Sequence, residues 1–340
     1  MPALNTPLLS VRDLKTYFAQ DEGTVKAVDG VSFDMVPGAT LGIVGESGCG
    51  KSMTARSILR LVERPGRIIE GEIWFRRPTI GAAPTGDAVV DLTKLEPNGD
   101  EMRAIRGAEI ALIFQEPMSS FSPVHTVGNQ IIEVIMLHQR VNRREAQAKA
   151  IEMLKRVGVS SPGQRVDQLS NQLSGGLRQR AMIAMALSCH PTLLIADEPT
   201  TALDVTTQTQ ILELMRRLQH EDGMAIMLIT HDLGVIAEMA SEVAVMYLGR
   251  VVEQAPVDDL FHAPRHPYTQ ALLRSIPRIR SRPGERLNPI AGAVPHPYAR
   301  PSGCPFHPRC AKFMAGTCDR QTPVLRPVGD RHTVSCFLYE

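Results

Sequence analysis

Short apolar-rich runs broken by turn signals open the chain. LLSVRDLKTYF and VKAVDGVSFDMV, between Leu8 and about Val36, read as strands, with Pro37-Gly38 as the turn after them. TLGIVG is then a continuous apolar run entering a glycine-rich loop, and SMTARSILRLV continues it with helical spacing, so the segment predicts strand, loop, helix. GEIWF and EIALIFQ predict further strands, the second ending at Gln115, with a Pro- and Gly-rich exposed excursion from Arg77 to Asp91 between them. From Val127 to about Val157 the period becomes helical, in TVGNQIIEVIMLH and RREAQAKAIEMLKRVG, which predicts a helical subdomain inserted in the sheet over about 116–189. Buried-strand runs return as TLLIADE, AIMLITH and EVAVMYLG, separated by the helical patterns VTTQTQILELMRRLQHE and LGVIAEMA. Strands alternating with helices predict an α/β fold whose largely parallel sheet is covered on both faces. Beyond about Pro256 the chain turns rich in Pro, His and Arg, with PYTQALLRSI its one convincing helix, and a tail of that composition buries little apolar surface unaided.

A chain of 340 residues has room for a full α/β core and a smaller appendage, which places the domains at 1–256 and 257–340. Lys and Arg total 37 against 36 Asp and Glu, so no broad polyanion-binding surface is advertised and nucleic acid is a poor partner. MPALNTPLLSVRDLK lacks the basic and continuously apolar regions of a secretion signal, so the protein is expected to stay in the cytoplasm. The apolar stretch from Ala181 to Ala196 is interrupted by Ser188, His190 and Pro191 and falls short of the roughly 20 residues a bilayer needs, so a membrane link would come through partners. Of the 6 cysteines, Cys304, Cys310, Cys318 and Cys336 crowd the end of the chain, a pattern that in a reducing compartment points to a metal site more than to disulfides.

The candidate chemistry starts at GESGCGKS. Its glycines Gly45, Gly48 and Gly50 permit a backbone whose amides point inward at phosphate oxygens, so Gly45, Glu46, Ser47, Gly48, Cys49, Gly50, Lys51, Ser52 and Met53 form the candidate nucleotide cradle. Lys51 supplies a point charge to the β- and γ-phosphates and Ser52 a hydroxyl ligand for Mg2+. LLIADE delivers the partner carboxylates at a strand end: Asp197 to hold the Mg2+ shell and Glu198 to polarise the attacking water. Cys49 is either a tolerated side chain or a point where a thiol reagent blocks binding.

LSGGLRQR resembles the signature of the ABC ATPases, with Ser174, Gly175 and Gly176 opening a helix suited to a γ-phosphate. By the same resemblance Gln115 in IFQEP is the Q-loop residue and a Mg2+ neighbour, TALD at Thr201 to Asp204 is the D-loop, and His231 in LITHD is the switch histidine. Phe18, rather than its neighbour Tyr17, takes the adenine-stacking place. The resemblance implies a P-loop NTPase core with an antiparallel β layer, an inserted helical signature subdomain and a small cysteine-containing C-terminal extension. It also implies two subunits sandwiching two ATP molecules, each signature covering the other subunit's nucleotide. Glu116, Pro117 and Phe121, with the face from Ile131 to Leu137, are where a membrane subunit is expected to dock.

QEPMSSFSP, PTTALDVTTQTQIL, HPYTQALLRSIP and GCPFHPRC extend the likeness to the oligopeptide and dipeptide importer ATPases over nearly the whole chain. That likeness implies a peripheral protein on the cytoplasmic face of the membrane. Its partners would be a homologous second ATPase in a heterodimer, two permeases and an extracytoplasmic substrate-binding protein. Similar importers carry nickel complexes, glutathione or sugar oligomers instead of peptides. In some members of the family the terminal cysteines hold an iron–sulfur cluster, so Cys304, Cys310, Cys318 and Cys336 are candidate ligands of a [4Fe–4S] cluster. Their spacings match neither common ferredoxin nor common zinc-finger patterns, which leaves zinc and free thiols open. A soluble ABC ATPase acting on nucleic acid or ribosomes is the remote alternative, disfavoured by the single phosphate loop and the lack of sustained heptads.

Overall fold

The computed structural model describes residues 6–77, 88–115, 120–201, 203–276 and 290–340. β1 (Leu9–Gln20) and β2 (Gly23–Met35) pair antiparallel, Leu9 opposite Met35 and Gln20 opposite Gly23, so the two opening runs fold back on each other. β3 (Thr40–Val44), buried at every position, leads through a loop into α1 (Lys51–Ile58), which stops where Arg60 takes a left-handed backbone with φ 56°. β4 (Gly66–Arg77) and β5 (Ala88–Asp91) complete an antiparallel sheet of order β2-β1-β4-β5, the expected antiparallel layer. The excursion between them falls mostly on 78–87, outside the described residues.

α2 (Asp100–Ile105) and β6 (Ile110–Ile113) precede a run of helices: α3 (Val127–His138), α4 (Arg143–Arg156), α5 (Pro162–Arg165) and α6 (Gly175–Leu187). Thr126 caps α3, and Asn142 with Glu145 forms a reciprocal capping box at the start of α4, which is why one helical pattern splits into two helices here. β7 (Leu193–Asp197), α7 (Val205–Asp222), β8 (Ala225–Ile229), α8 (Leu233–Met239), β9 (Glu242–Tyr247) and β10 (Arg250–Pro256) follow. After α9 (Val257–His262) and α10 (Pro267–Arg274) the chain ends in β11 (Arg326–Gly329) and β12 (His332–Val334).

Among the described residues the second sheet has the order β11-β12-β10-β9-β3-β8-β7-β6, parallel from β9 to β6 and antiparallel at the other end. Successive residues of its central strands enter different cores. Leu194, Ala196, Ile226 and Leu228 join one cluster with the helices α3, α4 and α6, while Leu193, Ile195, Met227 and Ile229 join the other with α1 and the antiparallel layer. That two-sided burial explains why these strands read as continuous apolar runs.

The C-terminal extension, a tail whose composition buries little apolar surface unaided, buries it against the main domain. β12 pairs with β10, setting Val334 opposite Glu253, and Tyr268 and Phe306 are buried in the main core. Tyr247 on β9 meets the Tyr268 ring at 4.7 Å and the Phe306 ring edge-on at 5.3 Å. Glu253, fully buried, accepts from the N–H groups of Arg265 (2.6 Å) and His266 (2.9 Å) and lies 2.8 Å from His332 Nε2, so one carboxylate of β10 ties two separate parts of the extension together. Phe306→Ala should lower the unfolding free energy by about 3 kcal/mol or more, the usual cost of emptying a buried aromatic site, read as a shifted urea midpoint. A shift worth under about 1 kcal/mol would show that the extension is not part of the core.

Candidate nucleotide site

β3, β8 and β7 end level, with Ile43 opposite Ile229 and Asp197 opposite Ile229. The segments leaving those ends therefore converge: Gly45–Ser52 after β3, Glu198 after β7, His231 after β8, and Gln115 just beyond β6. Ala27, Ser47 to Met53, Gln115 and Glu198 line a cavity of about 280 Å³. Ligand crevices at the carboxyl ends of parallel strands are the general rule for such sheets.

The loop needs glycine where it is most crowded. A Cβ on Gly45 would lie 2.2 Å from the Met246 carbonyl oxygen, and one on Gly50 2.2 Å from that of Ala27. Lys51, nearly buried, donates from Nζ to the carbonyls of Gly45 (2.8 Å) and Glu46 (3.3 Å). Ser52 Oγ donates to Asp197 Oδ1 at 3.0 Å, so a hydroxyl and a carboxylate oxygen sit side by side, the hard donors that suit Mg2+. Cys49 is 3% exposed and faces the core, where burial pushes its thiol up, so the thiol-blocking reading lacks an approach to the sulfur.

Asp197 and Glu198 are neighbours with opposite electrostatics. Burial, aided by the charge of Glu198, raises Asp197 against the opposing hydrogen bond from Ser52. Burial is also the largest influence on Glu198, but there it is outweighed. Hydrogen bonds from Thr201 and His231 and the charges of His231 and Lys51 together hold Glu198 below the usual carboxylate range. Its Oε2 accepts from Gln115 Nε2 (3.1 Å) and Thr201 Oγ1 (2.9 Å), and Oε1 lies 3.2 Å from His231 Nδ1. Glu198 also has a left-handed backbone, φ 48°, a conformation that turns the chain out of β7 just where the carboxylate is wanted.

On β1, Phe18 falls on the same face as Thr16, whose hydroxyl meets Ser57 of α1 at 2.8 Å, and its ring lies against Gly66. Tyr17 points the other way and donates its hydroxyl to Asp29 at 2.5 Å.

Other candidates lie elsewhere. Ser174 and Gly175 are exposed at the start of α6 and do not line this cavity; Ser174 caps the helix by accepting from Leu177 N–H. Asp204 caps α7, accepting from the backbone N–H (2.9 Å) and hydroxyl (2.8 Å) of Thr207, which hold its carboxyl low. The expected docking set changes: Phe121, Ile131 and Ile135 are buried in the core because α3 packs on α4 and α6, and Glu116 and Pro117 lie outside the described residues. Val124, Met136 and Leu137 are among the exposed apolar side chains of this stretch.

The terminal cysteines gather without closing. Cys304 N–H donates to the Cys318 carbonyl at 2.8 Å, and burial, followed by the charges of Cys318, Cys336 and Cys310, pushes the Cys304 thiol up to about 11. Burial also raises Cys310 and Cys336. An all-sulfur set suits a soft metal, yet among the described residues no three His, Cys, Asp or Glu side chains are arranged to hold an ion.

Thr201, Tyr268 and Arg309 are neighbours of the site to which sequence reading gave no role. Tyr268 Oη accepts from Glu46 N–H at 2.9 Å, and Arg309 grips the Glu46 carboxylate. Thr201 stood inside a recognisable motif, and Tyr268 and Arg309 inside the quoted runs HPYTQALLRSIP and GCPFHPRC, but nothing local in those two runs points to the phosphate loop.

Comparison with known proteins bears on both parts of the chain. A sequence model of the ABC transporter family matches residues 28–201, and one of the oligopeptide/dipeptide transporter C-terminal region matches residues 252–318. A probable peptide ABC transporter ATP-binding protein of Sinorhizobium fredii is 50% identical over 331 residues, 97% of this chain and 94% of that one. A dipeptide transport ATP-binding protein of Bacillus subtilis is 46% identical over 334 residues, 98% of this chain and 95% of its own. Among solved structures, a dimeric ATP-binding cassette in a post-hydrolysis state with ADP and Pi superposes with a TM-score of 0.63 at 26% identity, covering 73% of this chain and 98% of that one. No described helix is long and apolar enough to cross a membrane.

In the folded chain, Cys49 should resist alkylation by a bulky maleimide at least about tenfold longer than in the urea-unfolded chain, because its thiol is buried and its thiolate disfavoured. Peptide mapping of the labelled protein reads this out, and equal labelling in both states would overturn the burial argument.

Proposed function

This chain belongs to the ABC transporter family, and from that premise we propose that its site binds Mg2+ and ATP and hydrolyses ATP to drive uptake of di- and oligopeptides across the cytoplasmic membrane. The observation that carries the reading is the meeting of Ser52 with Asp197, and of Glu198 with Gln115, Thr201 and His231, around one phosphate-loop cavity. The amides of Gly45 to Ser52 and the start of α1 receive the phosphates, and Lys51 exchanges loop carbonyls for β- and γ-phosphate oxygens. Ser52 and Asp197 would hold Mg2+, which when bound neutralises phosphate charge. Glu198, kept ionised by its neighbours, accepts a hydrogen bond from the attacking water and aims it at the γ-phosphorus. His231 and Gln115 hold that carboxylate in place. The ring of Phe18, on the α1 side of its sheet, receives the adenine.

The exposed signature supports a two-subunit site. Ser174 and Gly175, with the half-buried Gly176 behind them, face the nucleotide of a second, homologous ATPase, whose own signature completes the pocket around Lys51, with Asp204 near the junction. The permeases dock on the side marked by Val124, Met136 and Leu137, which places the chain peripherally on the cytoplasmic face, and an extracytoplasmic binding protein delivers the peptide. Residues 1–256 form the nucleotide-binding domain, with the helical subdomain at about 116–189, and 257–340 form the extension. In the extension, Cys304, Cys310, Cys318 and Cys336 are proposed as ligands of a [4Fe–4S] cluster, with zinc as the other metal thiolates suit. Burial that opposes ionisation of the Cys304, Cys310 and Cys336 thiols supports this, since binding a metal offsets that cost.

Glu198→Gln should leave ATP affinity near wild type while turnover by the assembled transporter falls at least about a hundredfold, with peptide uptake lost in parallel. Wild-type turnover in that variant would remove Glu198 from the reaction. Protein purified without oxygen should be brown and contain iron and acid-labile sulfide; a colourless, iron-free chain carrying one zinc decides for zinc, and one carrying no metal removes the metal reading.

A further inference from the structure

We propose that Arg309, from the C-terminal extension, is a positioning residue of the ATP site, cancelling the charge of Glu46 in the phosphate loop and holding that side chain away from the nucleotide. Glu46 presents a problem to a loop that must accept a polyanion: its carboxylate sits within the loop itself, and like charges at such range repel. Arg309 answers it with a fork. Nη1 donates to Oε2 at 2.7 Å and Nη2 to Oε1 at 3.0 Å, across 263 residues of sequence. The arginine is not a mobile surface group. Its side chain is 4% exposed, Nε donates to the Ala291 carbonyl at 3.0 Å, and the guanidinium lies 5.9 Å from the Tyr247 ring centroid and 6.0 Å from that of Phe306. Glu46 is 25% exposed, so the pair is screened on one side only. The extension holds the same residue a second time, through the Tyr268 hydroxyl that accepts the Glu46 N–H.

The plainer account is a strap that fastens the extension to the domain. The two accounts part company on charge. A strap fails equally when either partner is lost, and its failure shows in stability. If the pair instead neutralises Glu46, removing Arg309 alone exposes an uncompensated carboxylate to the phosphates, and removing both charges relieves it.

The inference rests on the loop being the ATP site, and its test separates the two claims. ATP affinity and ATPase kinetics are measured on the transporter carrying each variant, with the urea midpoint as the structural readout. Arg309→Gln should weaken ATP binding about tenfold and raise KM in step, with kcat at saturating ATP within about twofold, and the loss should shrink as salt rises. Adding Glu46→Gln to Arg309→Gln should recover most of the affinity. Arg309→Lys, which keeps the charge without the fork, should lose less than about threefold. Wild-type affinity in Arg309→Gln, a double variant no better than the single, or a lysine variant as weak as the glutamine one would each overturn the proposal. If the wild-type transporter itself binds no ATP, the reading of the loop fails instead.

Discussion

Backbone hydrogen bonds between β3, β8 and β7 set Ile43, Ile229 and Asp197 side by side, and this register decides where the chemistry falls. Each of these strands sends alternate side chains into two different cores, so a slip of one residue would turn every side chain to the wrong core. Because the strands are parallel, whatever follows them leaves from one edge. The ladder continues one residue past β7, where Glu198 N–H donates to the Ile229 carbonyl at 2.8 Å, and there the left-handed backbone turns the carboxylate toward the loop. A non-glycine residue in that conformation costs about 1–2 kcal/mol, which the sheet and the Gln115, Thr201 and His231 contacts together offset.

Adjacency in sequence gives Asp197 and Glu198 no common character. Asp197 is enclosed at a strand end, its proton favoured by burial against the hydrogen bond from the Ser52 hydroxyl and the charges of Lys51 and Arg56. A carboxylate so placed gains most from a cation, which is the physical sense of a Mg2+ position there. Glu198 stands one residue further out among hydrogen-bond donors and needs no metal to stay ionised. Two carboxylates whose surroundings push their proton affinities apart can hold different roles at one pH.

Much of this was legible in the sequence because it is local. Continuous apolar runs marked the doubly covered strands, helical periods marked α3, α4 and α7, and the phosphate loop and the Asp197-Glu198 pair announced themselves by composition and place. Partners brought together by the fold were not legible. Periodicity gave Ile131 and Ile135 an apolar face without saying what covers it, and α4 and α6 do. Likewise a Pro- and Arg-rich tail looked unable to bury itself. It borrows a core from the main domain, which no composition argument about the tail alone can foresee.

β9 explains why that borrowing reaches the site. Its Met246 carbonyl fills the space a side chain on Gly45 would need, while the next residue, Tyr247, packs against Tyr268 and Phe306 of the extension. One strand thus has the phosphate loop against its backbone and the extension against its ring, at consecutive positions. β12, pairing with β10, also covers what would otherwise be an open sheet edge, a device that natural sheets use to avoid unwanted pairing. An extension that protects the sheet edge, fills the core beside β9 and contacts Glu46 cannot shift as a separate module. Displacing it would uncover β10, loosen the packing of Tyr247 and release the loop together, so the phosphate loop and the C-terminal cysteines belong to one cooperative unit although they stand at opposite ends of the chain.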